Sequence, residues 1–497
     1  MAADEPDFAN YETSVTYVDS SLKDTLIEAM IDAYMRRAVP NVVDGSCKEG
    51  RFEIITPRPT INHQAKRLYV SYPGGHWTED GGLIGGDPDL GFDYFDAVGQ
   101  VYEPIKQSVD TYLTPMMEAP RPDDFDDQIA VLQHVIQHLS VTGEVRTTGS
   151  GPATTIEVGD ELVPQYIAEI GNELSDLNGV AMVRLRQVYG ADRISDVMTG
   201  QHALAVVAGV LVAGEAQVWA RFHRDFHKLI DGAAKDFHAY SEGNEVSAGE
   251  IFDVVKSVAD ASGLLSIPKG VATVIGKATT LGGIVKGFLP PEPPPHDYSL
   301  DGSSYQALSD SFWQAVVDLI TDVESTELAF ADCASSAVET ASQPAGKNRV
   351  ITTSFDLKNP EEFLTAGADG IYKDSNGNTV DIVVTDDALR KISGRYEAIG
   401  DHCRGLATKI AGAPEQGVWS RDITGPHGLS HGHYASFSGL VDLVATLLTS
   451  NADEMHSVGE RCLLILSDFK ATDAAIEKDL DKEAKAVVEL AKEDAEP

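Results

Sequence analysis

Three groups of residues in this chain carry side chains that do chemistry. Gly428-Leu-Ser-His-Gly432 has the G-x-S-x-G spacing of a serine nucleophile raised on a tight turn. His427, His431 and His433 crowd the same loop, and His402, Cys403 and His456 lie on segments able to fold towards it. Imidazole and thiolate are zinc ligands, so such a group would suit that metal. His223 and His227 stand four apart, the spacing of two zinc ligands on one helix face. Each group is incomplete. A nucleophile elbow needs a buried strand before its serine, whereas Asp422-Ile-Thr-Gly-Pro-His427 is a polar turn. The residues between His223 and His227 are Arg-Asp-Phe, so the general-base Glu of a zinc hydrolase is missing. The histidine-bearing loop reads as a solvated loop. Neither a G-x4-G-K-[ST] phosphate loop nor a strand–G-x-G-x-x-G–helix unit is present. With 78 acidic residues, a catalytic carboxylate pair cannot be singled out. The sequence points to a non-enzymatic protein with no cofactor and no metal.

Composition narrows the partners. A chain of 497 residues exceeds one ordinary core, and 42% apolar residues is the content of a folded protein. The formal charge of −40 argues against nucleic acid, because phosphate contacts need clustered Lys and Arg. It also argues against docking of the whole surface on anionic lipid. Cys47, Cys333, Cys403 and Cys462 are scattered, as neither a zinc ribbon nor a dense disulfide framework would be. The first residues, Met-Ala-Ala-Asp-Glu-Pro-Asp, lack an apolar segment, so no ordinary signal peptide is expected. No uninterrupted apolar run of about 20 residues occurs, so no standard membrane span is expected either.

The elements that would position any site are mainly helical. Residues 1–124 read as a small mixed α/β region, with a helix over Leu22 to Arg37, extended pieces at Phe52 to Ile55 and from Leu68, and a helix over Gln100 to Met117. Residues 125–250 read as a first helical-hairpin module, with helices over Phe125 to Leu139, Leu162 to Val188 and Ile194 to Tyr240. The last two are expected to pack antiparallel, since little chain separates them. Residues 251–289 form a Gly-rich apolar segment whose charges are mostly Lys, including Lys269 and Lys277. Within it Gly283 and Gly287 make a G-x-x-x-G, which permits close helix packing in protein or in lipid. Residues 290–298 form a Pro-rich linker, stiff by composition. A second helical module spans 299–482, interrupted by a β-hairpin insertion at 346–385 with strands Arg349 to Ser354 and Thr379 to Val384. An acidic tail closes the chain from 483 to 497.

On the last long helix, about Ala435 to Lys482, Leu440, Val444, Leu447, Met455, Val458, Cys462, Leu466, Phe469, Ile476 and Leu480 recur at helical spacing. A stripe this long needs a partner helix. The fold class that follows is mainly α, with two helical-hairpin or bundle modules of long antiparallel helices.

Two stretches resemble the WXG100-related substrates of actinobacterial type VII secretion. In Ile170-Gly-Asn-Glu-Leu-Ser-Asp-Leu-Asn-Gly-Val-Ala-Met-Val-Arg-Leu185, Leu177-Asn178-Gly179 stands where the family carries its W-x-G turn, without the Trp. If the turn falls there, the helix over 162–188 breaks near Asn178. In residues 386–480, Trp419 and Gly425-Pro426 lie between two helices, and Phe469-Lys-Ala-Thr-Asp473 is similar to the family's Y-x-x-x-D/E export motif, with Phe for Tyr. The resemblance implies a secreted or cell-surface helical protein, exported without a cleaved signal. Phe469 and Asp473 would then be read by secretion machinery or a chaperone, and Leu177, Asn178, Gly179 and Trp419 would form hairpin turns. It also suggests oligomeric or membrane-associated behaviour, with a second copy or another helical protein as partner. Phe469 equally continues the buried stripe. Two other classes stay open, a structural component of a phage or particle and an enzyme or toxin with an unrecognised site, and a cytoplasmic location is the alternative to export.

Overall fold

At the centre of the structure, a computed structural model, lies one 52-residue helix, Ala191–Glu242. The described residues are 15–55, 67–71, 75–78, 94–139, 141, 146–147, 155–156, 162–177, 180–244, 246, 300–345, 348–351, 355–358, 385–413, 416–419 and 432–493. In chain order the helices are α1 (Ser20–Arg37), α2 (Tyr94–Met117), α3 (Asp126–Leu139), α4 (Leu162–Asp176), α5 (Val180–Tyr189) and the central α6 (Ala191–Glu242). They continue as α7 (Tyr305–Ala341), α8 (Asp386–Ile410), the short α9 (Gln416–Trp419) and α10 (Tyr434–Glu493). The protein is mainly helical, as the periodicity predicts.

The sequence of α6 explains its place. Every residue from Ala203 to Ala220 is buried, with Glu215 and Gln217 the polar members of an otherwise apolar or small-residue stretch, so it needs neighbours on all sides. It packs against α1, α3, α4, α5, α7 and α10. Although no uninterrupted apolar run of span length exists, α6 has a mean hydropathy window of 1.7 and is long enough to cross a membrane; that window is wholly inside the bundle. At Gly214 the helix comes close to α7, where an added Cβ would meet the Phe330 ring at 2.9 Å. The helix ends at Gly243, whose φ of 82° suits glycine, with the Asn244 amide on the Ala239 carbonyl.

Helices from both sides of the Pro-rich segment share one hydrophobic core. α7 runs antiparallel to α6, with Phe237 against Phe312 at one end and Gly214 against Phe330 at the other. α8 and α10 form an antiparallel hairpin, pinned at Arg404–Asp453 (2.9 Å) and Lys470–Asp386 (2.8 Å). α4, expected to pair with α6, has α8 as its main neighbour, through Arg395–Glu169 (2.5 Å) and Lys391–Glu173 (3.3 Å). α5 then enters α6 through Gly190 alone.

The β-structure is peripheral. Strands β1 (Val42–Ser46), β2 (Arg51–Ile55), β3 (Arg67–Ser71) and β4 (Gly75–Thr78) form an antiparallel meander in that order. In β2, Phe52 and Ile54 alternate into the core, and Cys47 N–H donates to Asp32 on α1 at 2.7 Å. Strands β5 (Arg146–Thr147) and β6 (Thr155–Ile156) pair separately. The predicted hairpin between 349–354 and 379–384 is not the one formed by the described strands. There, β8 (Asn348–Ile351) pairs with β7 (Ser342–Ala345), immediately after α7, with Gln343 opposite Val350. A partner six residues away closes a far shorter loop than one thirty residues away, which lowers the entropy cost. Residues 379–384 lie outside the described residues.

Candidate functional site

The α8/α10 hairpin carries most of the residues that the sequence singles out. Trp419 lies between its two helices and is 4% exposed. Its ring stacks on Phe437 at 5.0 Å and meets Phe125 edge-on at 5.8 Å, while its Nε1 donates to Gln128 Oε1 at 3.2 Å. A buried indole needs a partner for its N–H, and here one is supplied by α3. Trp419 therefore fixes the connection of the hairpin to the first half of the chain, and its carbonyl accepts from Gly432 N at 3.1 Å.

Phe469 sits at the far end of the hairpin and is half-buried. The stripe on α10 is buried at Val458, Cys462 and Leu466, whereas Leu463 and Leu464 are 38% and 64% exposed. Opposite Lys470, α8 begins at Asp386, so α10 runs on past the first residue of its partner to Glu493. That projection is roughly 35 Å long. Ala471, Thr472, Lys478 and Lys482 are exposed along it. Asp473 lies on the same helix, one turn beyond Phe469; its side chain is outside the described residues.

Leu177 is 1% exposed in the break between α4 and α5, and Asn178 and Gly179 lie outside the described residues. The break is held from α5: the Arg186 guanidinium donates to the carbonyls of Leu174 and Leu177, the latter at 2.9 Å. These are carbonyls that the end of α4 leaves without helical donors. Gly283, Gly287, Lys269 and Lys277 lie outside the described residues, as do Ser430, His427 and His431.

Four other described histidines are held by burial or by hydrogen bonds. His223 is 1% exposed, with Nε2 2.9 Å from the Pro120 carbonyl, and its burial lowers the imidazole below its ordinary range. His202 is pushed down to about 4 by burial. His402 Nε2 lies 2.8 Å from the His138 carbonyl, and His456 Nε2 pairs with Asp401 at 3.0 Å. Among the described residues, no group of three or more His, Cys, Asp or Glu is arranged to hold a metal ion. The four cysteines are free; burial raises all four thiols, each to about 12. Such thiols are poor nucleophiles at neutral pH. A cavity of about 510 Å³ opens where α6 ends and α7 begins, lined by Arg37, Tyr240, Gly243, Asn244, Val246 and Gly302. Arg37 Nε already donates to the Tyr240 carbonyl at 2.9 Å.

Sequence reasoning passed over a second group. Gln201 on α6 and Asn451 on α10 are both 0% exposed. They hold the non-helical residues Phe355, Asp356 and Leu357 between the two helices. The signal was present: Asn451 falls four residues from both Leu447 and Met455, a polar residue in register with the apolar stripe.

Compared with models of known protein families, with curated proteins and with solved structures, the chain shows no match.

Proposed function

We propose that this is a non-enzymatic helical protein, exported or held at a cell surface by a signal-peptide-independent route, that acts by binding itself or a helical partner. In this reading it is a long substrate of the type VII kind. Phe469 and Asp473 are the recognition pair for secretion machinery, and Trp419 secures the hairpin that presents them. The observation that carries the reading is the projection of α10 beyond Asp386, with Phe469 at its root. A recognition element must be reachable while the rest of the chain is folded. An amphipathic helix that outruns its partner offers an apolar anchor and an acid one turn apart to a receptor groove. Leu463 and Leu464, exposed just before it, enlarge that surface.

The test is export from the native host. Phe469→Ala and Asp473→Ala should each abolish or strongly reduce the amount outside the cell while leaving the amount inside, and the helical circular-dichroism signal, unchanged. Unchanged export of both variants would remove the recognition role.

A further inference from the structure

We propose that the cleft between α6 and α10 is a peptide-reading site, filled by the chain's own Phe355-Asp356-Leu357 and able to take the same three residues from a second copy. The site reads main chain. Gln201 Nε2 donates to the Phe355 carbonyl at 2.9 Å, and Arg193 donates to the Asp356 carbonyl at 2.9 Å. The Leu357 amide donates to Asn451 Oδ1 at 3.1 Å. The side chains on either side of Asp356 then fill apolar space within a turn: Phe355 is 3% exposed and Leu357 1%. Between them the Asp356 carboxylate turns back to accept from Ser450 Oγ at 3.1 Å and the Lys358 amide at 2.9 Å. Aromatic, acid and leucine in succession is thus the chemistry that the cleft accepts.

Two features separate this from ordinary loop packing. Two fully buried amides are kept on facing helices inside an apolar core, where burial of a polar group is costly unless it is bonded. Their bonding is also incomplete: Gln201 Oε1 and Asn451 Nδ2 are buried with no hydrogen-bond partner among the described residues. One spare acceptor and one spare donor suit a main chain, which carries both groups.

Exchange between two copies replaces each contact by its equivalent, so the entropy of association opposes it. Charge opposes it too, because each copy carries −40. Salt screens that repulsion, the Debye length falling from about 10 Å at 0.1 M to about 3 Å at 1 M. The exchanged form should therefore grow with both protein concentration and salt. This inference does not depend on export, and its failure would leave the secretion reading standing.

The probe is a fluorescent peptide of residues 351–360, titrated against full-length Phe355→Ala/Leu357→Ala protein with the anisotropy measured. Saturable binding is expected, at least tenfold weaker for a peptide with alanine at both anchor positions and at least tenfold weaker for the wild-type protein, whose cleft is filled. Absent binding, or equal binding of the anchorless peptide, overturns the peptide site. Hydrogen exchange on the wild type supplies a readout that needs no variant. The Leu357 amide should exchange by local opening, well before the amides between Ala203 and Ala220. Exchange in step with them overturns the proposal. For the second copy, sedimentation at about 1 M salt should show a dimer in the wild type and none in the double variant. A wild type that stays monomeric throughout, or an equal dimer in the variant, overturns that occupant.

Discussion

Single residues on α6 show how the core sets a pH dependence. His202 donates to the Ile136 carbonyl, its Nε2 is enclosed, and burial pushes the imidazole down to about 4. In the unfolded chain the same group titrates near 6.5. A depressed histidine favours the folded state while neutral. Its contribution is therefore complete above about pH 6.5 and is lost as pH falls towards 4, because the unfolded chain takes up the proton first. His223, also lowered by burial, acts with the same sign. Part of the His202 residue reaches the surface, so the loss is on the order of 2 kcal/mol rather than the whole of what the displacement implies. Urea unfolding of wild type and His202→Gln at pH 7 and pH 4.5 checks this. The wild type should lose about 2 kcal/mol more than the variant across that interval. Parallel losses would show that His202 is not held neutral by the fold.

At the level of elements, Trp419 ties a short connection to a distant helix. Replacing it with Ala removes the stack on Phe437, the edge contact with Phe125 and the bond to Gln128. The expected cost is about 3–5 kcal/mol in denaturant unfolding, the range for truncating a buried aromatic. A loss under about 1 kcal/mol would mean that the connection closes without it. Local rules made much of this architecture legible. α1, α2, α3, α6, α7, α8 and α10 follow from apolar spacing. Apolar spacing alone reads 162–188 as one helix, and the break after Asp176 is expected only through the family resemblance. What stayed hidden depends on partners remote in sequence. The place where α8 starts against α10 decides whether Phe469 is covered, and nothing on α10 itself encodes it. The β7–β8 pairing is not legible in the sequence, because Gln343-Pro344-Ala345 carries little strand signal. Asn451 was stepped over because a polar residue in an apolar register reads as a gap. In the structure that gap is where a third segment enters.

At the scale of the molecule, one long helix with a wholly buried middle lies inside, and the two halves of the chain build its surroundings together. α1, α3, α4 and α5 cover part of α6, while α7 and α10 cover the rest. Bonds across the Pro-rich segment repeat the point: Tyr189 OH donates to Glu454 at 2.5 Å, Tyr396 OH donates to the Tyr189 carbonyl at 2.6 Å, and Trp419 donates to Gln128. Stability shared in this way makes the halves interdependent. A fragment of residues 1–250 would leave the α7 and α10 faces of α6 uncovered, an exposed apolar surface large enough to drive association. Expressed alone, it should be insoluble or aggregated. Expressed together with residues 299–497, it should copurify as a soluble pair that melts in one transition. The intact chain should likewise unfold in a single calorimetric step, with matching calorimetric and van't Hoff enthalpies. Two well-separated transitions, or a soluble and folded 1–250 fragment, would mean that α6 finds enough cover within the first half. The fold would then be two bodies in contact rather than one core assembled from both.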